Sequence, residues 1–306
     1  MKKFLSLSFL LIVMVISLTG CGSTSPTKGQ PQTNNKVKVM ASFNAMQEIA
    51  EAIGKDKIEV ESIIPNGTEP HDFQPNAKNL KGLHTAKIFI YNGLDMEKGW
   101  LDKAIAAADN KNLLLVEASK GAKAIPAREG TEAAETGDQN DPHLWLSVKG
   151  AQLEAQNIKE ALIKADPKNK DFYEKNYTDF TRQLEQLYKE YDQKFKTVKR
   201  KDFVTGHAAF AYLARDFGLK QNSVEDVFAE GEPSAKKLKE LTDYCKKQKI
   251  NTIFVEDMVS PKVSETLAKE VGAKAVKIYT LASREDGKTY IQSLQANLEK
   301  IYASLK

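Results

Sequence analysis

The chain has 306 residues, of which 28% are charged, and its formal net charge at pH 7 is +4. Positive and negative side chains alternate along the predicted helix faces, and the sequence has no basic cluster interleaved with aromatic residues, so a nucleic-acid groove is not indicated. The length is sufficient for one large domain or two of medium size, each with its own core.

The N-terminus predicts a secretory signal peptide at residues 1–20. Met1-Lys2-Lys3 supplies a basic start, and an apolar run from Phe4 to Leu18 follows. This run is shorter than the roughly 20 apolar residues that a membrane span needs. It leads into Leu18-Thr19-Gly20-Cys21, which resembles a bacterial lipobox, in which the cysteine becomes the lipidated first residue. An ordinary signal peptide with an incidental cysteine is the alternative.

The segment after the signal peptide predicts a lipid-anchored tether. Residues 21–36 are polar and rich in Gly, Pro, Ser and Thr, which is typical of a flexible linker. With Cys21 lipidated, Cys245 is the one thiol left, so a disulfide within the mature chain is excluded. The helical context of Cys245 favours a small buried hydrophobe. We therefore expect a globular body held at the outer face of the cell membrane.

Strand and helix patterns alternate from Val37 onward. Strands are predicted at Val37–Phe43, Ile58–Ile64, Lys87–Gly93 and Asn112–Val116, and helices at Ala45–Ile53 and around Trp100. This alternation favours βαβ units and a mainly parallel sheet.

A loop between Ala118 and Asp141 interrupts the alternation. It contains five acidic residues: Glu129, Glu132, Glu135, Asp138 and Asp141. Loops of this length in compact domains are commonly functional or disordered, and acidic side chains attract cations. A solvated insertion without a role is the alternative.

A long helix is predicted from near Pro167 to about Val198. Asp166 and Pro167 fit the N-cap and the first helical position. Apolar residues then follow at spacings of three and four: Tyr173, Tyr177, Phe180, Leu184, Leu187, Tyr191 and Phe195. At 1.5 Å per residue this helix would measure roughly 48 Å, enough to run along two lobes.

The alternation resumes after the long helix. Strands are predicted at Asp202–Thr205, Ile250–Val255 and Ala275–Tyr279, with helices ending near Gly218, starting at Pro233 and Pro261, and closing the chain. The predicted fold class is α/β, with two lobes that each have a mainly parallel sheet flanked by helices. The predicted boundaries are 37–166 for the N-terminal lobe, 167–199 for the linking helix and 200–306 for the C-terminal lobe.

Three of the four histidines lie in short segments marked by proline or glycine: Glu69-Pro70-His71, Asp141-Pro142-His143 and Gly206-His207. Their wide separation excludes a locally closed zinc finger, so a shared site would have to form by tertiary folding. Imidazole suits zinc, copper, iron and nickel, and zinc is the first candidate. A lone histidine is more often a hydrogen-bonded residue than a ligand, and His84 is interpreted in that way.

The combination of segments resembles the zinc and manganese solute-binding lipoproteins of bacterial ABC importers, also called the adhesin-B-like group. The resemblance covers nearly all of the mature chain. It depends on Glu69–Pro75, Tyr91–Leu94 with Glu97 and Trp100, Asp141–Trp145, Gly206–Phe210, Glu232–Ser234 and Phe254–Glu256.

The resemblance implies a metal held in a cleft between two lobes and delivered to a membrane permease, without enzymatic activity. The ligands would be His71 and His143 from the N-terminal lobe and His207 from the C-terminal lobe. In the manganese members of the family the third ligand resembles Glu. Because this chain has His207 there, it is more similar to the zinc branch, and Mn²⁺ is less favoured. Copper would in principle bind such a site more tightly. We expect a monomer.

The fourth ligand departs from the family pattern. The carboxylate that the family places after the last strand aligns with Ala282, which has no donor atom. The resemblance therefore leaves water, or the displaced carboxylates Glu285 and Asp286, to complete the coordination. Three further acidic residues are expected to have supporting roles: Glu230, Glu232 and Glu256.

Two other classes of function stay open. A hydrolase could use three histidines and an activated water, although the sequence contains neither an HExxH nor a GxSxG motif. A surface adhesin is suggested by the predicted anchor and by the label of the family. For the transport hypothesis, zinc affinity should fall below about pH 6, where imidazole takes up a proton.

Overall fold

Two parallel four-stranded sheets form the framework of the computed structural model, which describes residues 36–127, 140–227, 233–257 and 261–306. The strands are β1 (Val37–Ala41), β2 (Ile58–Ser62), β3 (Ile88–Tyr91), β4 (Leu114–Glu117), β5 (Asp202–Thr205), β6 (Lys220–Ser223), β7 (Thr252–Val255) and β8 (Lys274–Lys277). The helices are α1 (Asn44–Gly54), α2 (Ala77–Leu80), α3 (Leu101–Ala108), α4 (Val148–Ala165), α5 (Lys170–Thr197), α6 (Ala211–Phe217), α7 (Ala235–Gln248), α8 (Pro261–Val271) and α9 (Tyr290–Ser304).

Several sequence predictions lie outside the described residues. They are the signal peptide, the Cys21 lipidation site, the tether up to residue 35, and the acidic residues Glu129, Glu132, Glu135, Asp138, Glu230 and Glu232. None of the helices in the described ranges combines the length and the apolar character that a membrane crossing needs.

The two sheets repeat the same strand order. The first is β2-β1-β3-β4 and the second is β6-β5-β7-β8, and all neighbouring strands are parallel. The predicted fold class is therefore confirmed. In parallel sheets of this kind, ligands bind outside the carboxyl ends of the strands, where connections diverge to either side. In the first sheet this edge lies beside β1, and in the second sheet it lies beside β5.

The apolar core is continuous between the two halves of the chain. One cluster of buried side chains includes Phe43 and Trp145 from the first half and Phe203, Phe254 and Leu298 from the second. A smaller cluster lies within the C-terminal half, where the free Cys245 is 1% exposed. Exposing apolar surface costs a free energy of about 25 cal/mol per Å². The shared cluster therefore opposes any motion that separates the two halves widely.

The long helix α5 has 28 residues and a length of about 42 Å. A 3₁₀ turn at Pro167–Asn169 precedes it, so the α-helix begins three residues after the predicted start. Asp166 accepts hydrogen bonds from the Tyr173 hydroxyl at 2.9 Å and from the Asn169 amide at 2.6 Å, which anchors this corner. The helix also packs against α1, α4 and α9, which come from both halves of the chain.

Helix α4 was not predicted from the sequence, although it is 18 residues long. Its buried stripe is Val148, Ala151, Ala155, Ile158, Ala161 and Leu162, so alanines supply half of the apolar signal. The cue was Ser147, whose hydroxyl accepts the Gly150 N–H at 2.9 Å as an N-cap. Strand β6 was also missed, because Lys220–Ser223 is a polar segment.

Polar bridges join the loop after β8 to the first half of the chain. The Arg284 guanidinium donates to Glu48 at 2.9 Å and to Glu51 at 3.0 Å, both on α1. The Arg284 N–H donates to Asn66 Oδ1 at 2.8 Å, and Trp145 Nε1 donates to the Thr280 carbonyl at 2.8 Å. These bonds fix the position of the loop against α1, the loop after β2 and the turn that contains Trp145.

Glu154 on α4 is fully buried, and neither of its carboxylate oxygens has a hydrogen-bond partner among the described residues. Desolvation, and secondarily the nearby Glu97, raise the pKa of Glu154 well above its usual 4.5. The folded chain therefore holds a proton that the unfolded chain releases above about pH 4.5. The contribution of the protonated Glu154 carboxyl group to the free energy of unfolding is full below about pH 4.5 and is lost as the pH rises toward the raised pKa of the folded chain.

We predict that Glu154→Gln, which mimics the protonated carboxyl, changes the pH dependence of stability. The melting temperature of the variant minus that of the wild type should increase from pH 5 to pH 8, by about 2–4 °C for each kcal/mol recovered. Thermal unfolding followed by circular dichroism at both pH values measures this difference. Parallel pH profiles for the two proteins would contradict a protonated Glu154.

Candidate metal centre

Tertiary folding brings three histidines together from three separate segments. His71 lies in the loop after β2, His143 precedes the 3₁₀ turn Leu144–Leu146, and His207 follows β5. Two of these positions are at the carboxyl ends of strands, at the edge where parallel sheets bind ligands. Among the described residues, these three form the one group of His, Cys, Asp or Glu side chains arranged to hold a metal ion.

The distances between the rings fit ligands of a single ion. One nitrogen from each imidazole lies within 4.8 Å of the other two, and the Nε2 atoms of His71 and His143 are 3.1 Å apart. Two nitrogens on one tetrahedral zinc are separated by about 3.3–3.4 Å, given Zn–N bonds of about 2.0–2.1 Å. The rings are 2–3% exposed, so a bound ion would be shielded from bulk water.

Asp141 orients the ring of His143. Its Oδ1 atom accepts the His143 backbone N–H at 2.9 Å and lies 2.8 Å from His143 Nδ1. This partner assigns the proton of His143 to Nδ1 and leaves the lone pair on Nε2, the atom that approaches His71. A carboxylate behind a ligating histidine fixes its tautomer and raises its basicity. Sequence analysis placed Asp141 in the acidic loop and in the Asp141–Trp145 motif but gave it no orienting role, although its place two residues before His143 was the available signal.

The ring of His207 is oriented from the backbone. His207 Nε2 lies 2.8 Å from the Val227 carbonyl oxygen and donates to it. His207 Nδ1 then carries the lone pair, and this buried atom has no hydrogen-bond partner among the described residues. A buried nitrogen acceptor without a partner is costly, and coordination of a cation would remove that cost.

Glu256 supports the segment that carries His207. Its Oε1 atom accepts the His207 backbone N–H at 3.3 Å, and the residue is 3% exposed. A side chain on Gly206 would collide with the Glu256 carboxyl group and would approach Ser264 Oγ to 3.0 Å. Glycine at position 206 therefore allows this close approach. Burial raises the pKa of Glu256 to about 8.

Burial keeps the rings of His71 and His207 uncharged. Desolvation, followed by the neighbouring imidazoles of His143 and His207, lowers the pKa of His71 well below 6.5. Desolvation and His143 lower the pKa of His207 to about 3, against a smaller opposing effect of the Val227 carbonyl. Both rings are neutral at pH 7, which is the state in which imidazole binds a metal.

The structure does not bring the candidate fourth ligands to the histidines. Glu285 and Asp286 lie 3.3 and 3.2 Å from Lys277 Nζ, and Asp286 also accepts the Tyr279 hydroxyl at 2.8 Å. Ala282, the position that aligns with the family carboxylate, is 6% exposed. His84 is separate from the centre as well, and its Nδ1 lies 2.9 Å from the Ala108 carbonyl oxygen.

Two parallel β-sheets flanked by helices, with three imidazole rings gathered at the ends of their strands, define the class of metal-binding solute-binding proteins. The chain matches the family model described as "Zinc-uptake complex component A periplasmic" over residues 39–304, and it belongs to that family. The members of this family are solute-binding components of ABC importers and not enzymes. The family identified from the sequence motifs is thereby confirmed.

Named relatives bind different metals. The "High-affinity zinc uptake system protein ZnuA" of Bacillus subtilis is 35% identical, with 99% of this chain and 98% of the relative covered. The "Manganese ABC transporter substrate-binding lipoprotein PsaA" of Streptococcus pneumoniae is 30% identical, with 100% and 99% covered. The solved laminin-binding protein of Streptococcus agalactiae, titled a bifunctional adhesin and metal transporter, has a TM-score of 0.80 at 36% identity, covering 89% of this chain and 100% of its own.

We predict that Asp141→Ala weakens zinc binding about 10–100-fold, the usual effect of removing the partner behind a ligating histidine. The loss should appear in a competition titration against a chromophoric chelator. Asp216→Ala is the control, because Asp216 is also an aspartate with short hydrogen bonds, to Ser147 and Lys149, but does not contact a histidine. Equal zinc affinities for Asp141→Ala and the wild type would contradict the orienting role.

Proposed function

We propose that this protein captures Zn²⁺ outside the cytoplasm at His71, His143 and His207 and hands it to the permease of an ABC importer. The observation that carries the proposal is the convergence of three imidazole rings, each 2–3% exposed, from remote parts of the chain. Membership of the zinc-uptake family supports the same cargo. Binding and release of the ion require no covalent chemistry.

The donor set favours zinc over manganese. All three potential ligand atoms are imidazole nitrogens, and no carboxylate of the described residues joins their group. Manganese and other hard cations prefer carboxylate, carbonyl and water oxygens, whereas zinc accepts nitrogen donors in a tetrahedral arrangement. The histidines alone would not exclude copper, so selectivity also depends on which metal is supplied.

A water molecule is our proposal for the fourth ligand. The loop that carries Ala282 offers no side-chain donor there, and Arg284 ties the same loop to Glu48 and Glu51. Moving Glu285 or Asp286 to the ion would break their ion pairs with Lys277. Such a shell leaves the charge of the ion uncompensated, which would ease its release compared with a carboxylate-bound ion.

The remaining parts of the proposal concern location and assembly. The apolar run and lipobox-like segment ending at Cys21 support lipid anchoring on the outer face of the membrane, and relatives of this chain are named lipoproteins. One acyl chain binds a membrane only marginally, so more than one chain would be needed at Cys21. We propose that the lobes 37–166 and 200–306, with the linking helix 167–199, act together as a monomer.

We predict that His207→Ala lowers zinc affinity by more than about 100-fold, because loss of a ligand should exceed the 10–100-fold effect of losing an outer partner. Native mass spectrometry of the mature domain, demetallated and then offered zinc and manganese together, measures both occupancy and preference. His84→Ala is the matched control and should bind one zinc like the wild type, since His84 lies outside the centre. Preferential uptake of manganese by the wild type would overturn the zinc assignment.

We predict that zinc affinity is nearly constant above about pH 6 and falls as the pH decreases further. Protons compete with the metal for imidazole, and the lowered pKa values of His71 and His207 move this competition below the usual 6.5. Competition titrations in steps from pH 8 to pH 4, on protein shown to be folded at each pH, test this. An affinity that already falls steeply between pH 8 and pH 6 would contradict the lowered pKa values of His71 and His207.

A further inference from the structure

We infer that Asn92 is a positioning residue for the metal centre, acting on His143 through the carbonyl group of Pro142. The inference rests on the proposed function, because it assumes that His143 is a ligand. Asn92 follows β3, is fully buried, and its Nδ2 atom donates to the Pro142 carbonyl oxygen at 2.9 Å. The same amide donates to the Gly93 carbonyl at 2.8 Å.

The Pro142 carbonyl controls the local conformation of His143. The Leu144 N–H donates to it at 2.8 Å, which closes a three-residue turn around His143. His143 has φ −77° and ψ 41°, close to the inverse γ-turn, in which this hydrogen bond closes the turn around the central residue. Asn92 occupies the other acceptor position of the same oxygen. A displacement of the Pro142 carbonyl therefore rotates the bond that directs the imidazole.

Glu97 fixes the position of Asn92. Its two carboxylate oxygens accept the backbone N–H groups of Asn92 at 2.8 Å and of Gly93 at 3.0 Å, and Glu97 is 1% exposed. Gly93 has φ +84°, and a Cβ atom there would lie 2.6 Å from Glu117 and 2.7 Å from Ser119. Glycine and the buried carboxylate therefore hold a tight turn from which the Asn92 amide reaches Pro142.

The histidine segment is held from two sides. Asn92 binds it from the N-terminal sheet, and Tyr212 on α6 donates its hydroxyl to the Asp141 carbonyl oxygen at 2.6 Å from the C-terminal half. Proline at 142 has no N–H, so its carbonyl is the one backbone group through which that residue can be anchored by hydrogen bonding. Removing the Asn92 donor would take away the hydrogen bond that ties the Pro142 carbonyl to the N-terminal sheet, while the bonds of Asp141 to Ile125 and Tyr212 would remain.

The test is Asn92→Asp, which keeps the size of the side chain and replaces the amide donor by an oxygen. Asn110→Asp is the matched control, because the Asn110 amide also donates to two backbone carbonyls of the same half, Leu83 at 2.9 Å and Ala86 at 2.8 Å, away from the histidines. The readouts are zinc affinity by chelator competition, the visible absorption spectrum of the Co²⁺ form, and the melting temperature without metal.

We expect both variants to melt at lower temperature, since each sets an oxygen against buried carbonyls. Only Asn92→Asp should lose zinc affinity, by about 10–100-fold, and alter the Co²⁺ spectrum. Should Asn92→Asp not fold, Asn92→Ala replaces it with the same expectation. A folded Asn92 variant with wild-type zinc affinity and Co²⁺ spectrum would overturn the inference, whereas a wild type that binds no zinc would overturn the proposed function itself.

Discussion

The rest of the structure depends on holding three imidazole rings in contact inside the protein. Each ring must present a lone pair and direct its N–H group to a protein acceptor, or the buried nitrogens would lack partners. Asp141 meets this requirement for His143 and the Val227 carbonyl meets it for His207. The strand order of both sheets brings the required segments to one edge, and the shared core keeps that edge fixed. Fold and centre are consequently linked by hydrogen bonds as much as by packing.

The main features of the fold could be predicted because they leave strong local patterns. Short runs of β-branched and other apolar residues indicated seven of the eight strands of the described residues, and the aromatic stripe from Tyr173 to Phe195 indicated the long helix. Helix α4 escaped because a buried face rich in alanine resembles a polar segment. Strand β6 escaped because Lys220–Ser223 joins the sheet through its backbone while its side chains are mostly polar.

The three histidines could be selected from the sequence because each lies in a turn-like segment, but their supporting groups could not. A hydrogen bond from His207 to the Val227 carbonyl leaves no trace in residue identity, since any residue supplies a carbonyl. The orienting role of Asp141 had a local cue that was interpreted as general acidity. For Glu285 and Asp286, which the sequence offered beside water as possible fourth ligands because they lie near Ala282, the fold forms ion pairs with Lys277 that residue identity alone does not reveal.

The continuous apolar interior has a consequence for how cargo leaves the protein. A carrier whose halves are joined by a hinge can signal that it is loaded by closing, but here such a motion would divide the apolar cluster that contains Phe43 and Trp145 from the first half and Phe254 and Leu298 from the second. We therefore expect loaded and empty forms to differ mainly in the short turns around the imidazoles. A transporter that docks on this protein would have to sense, and then distort, those turns to draw the ion out.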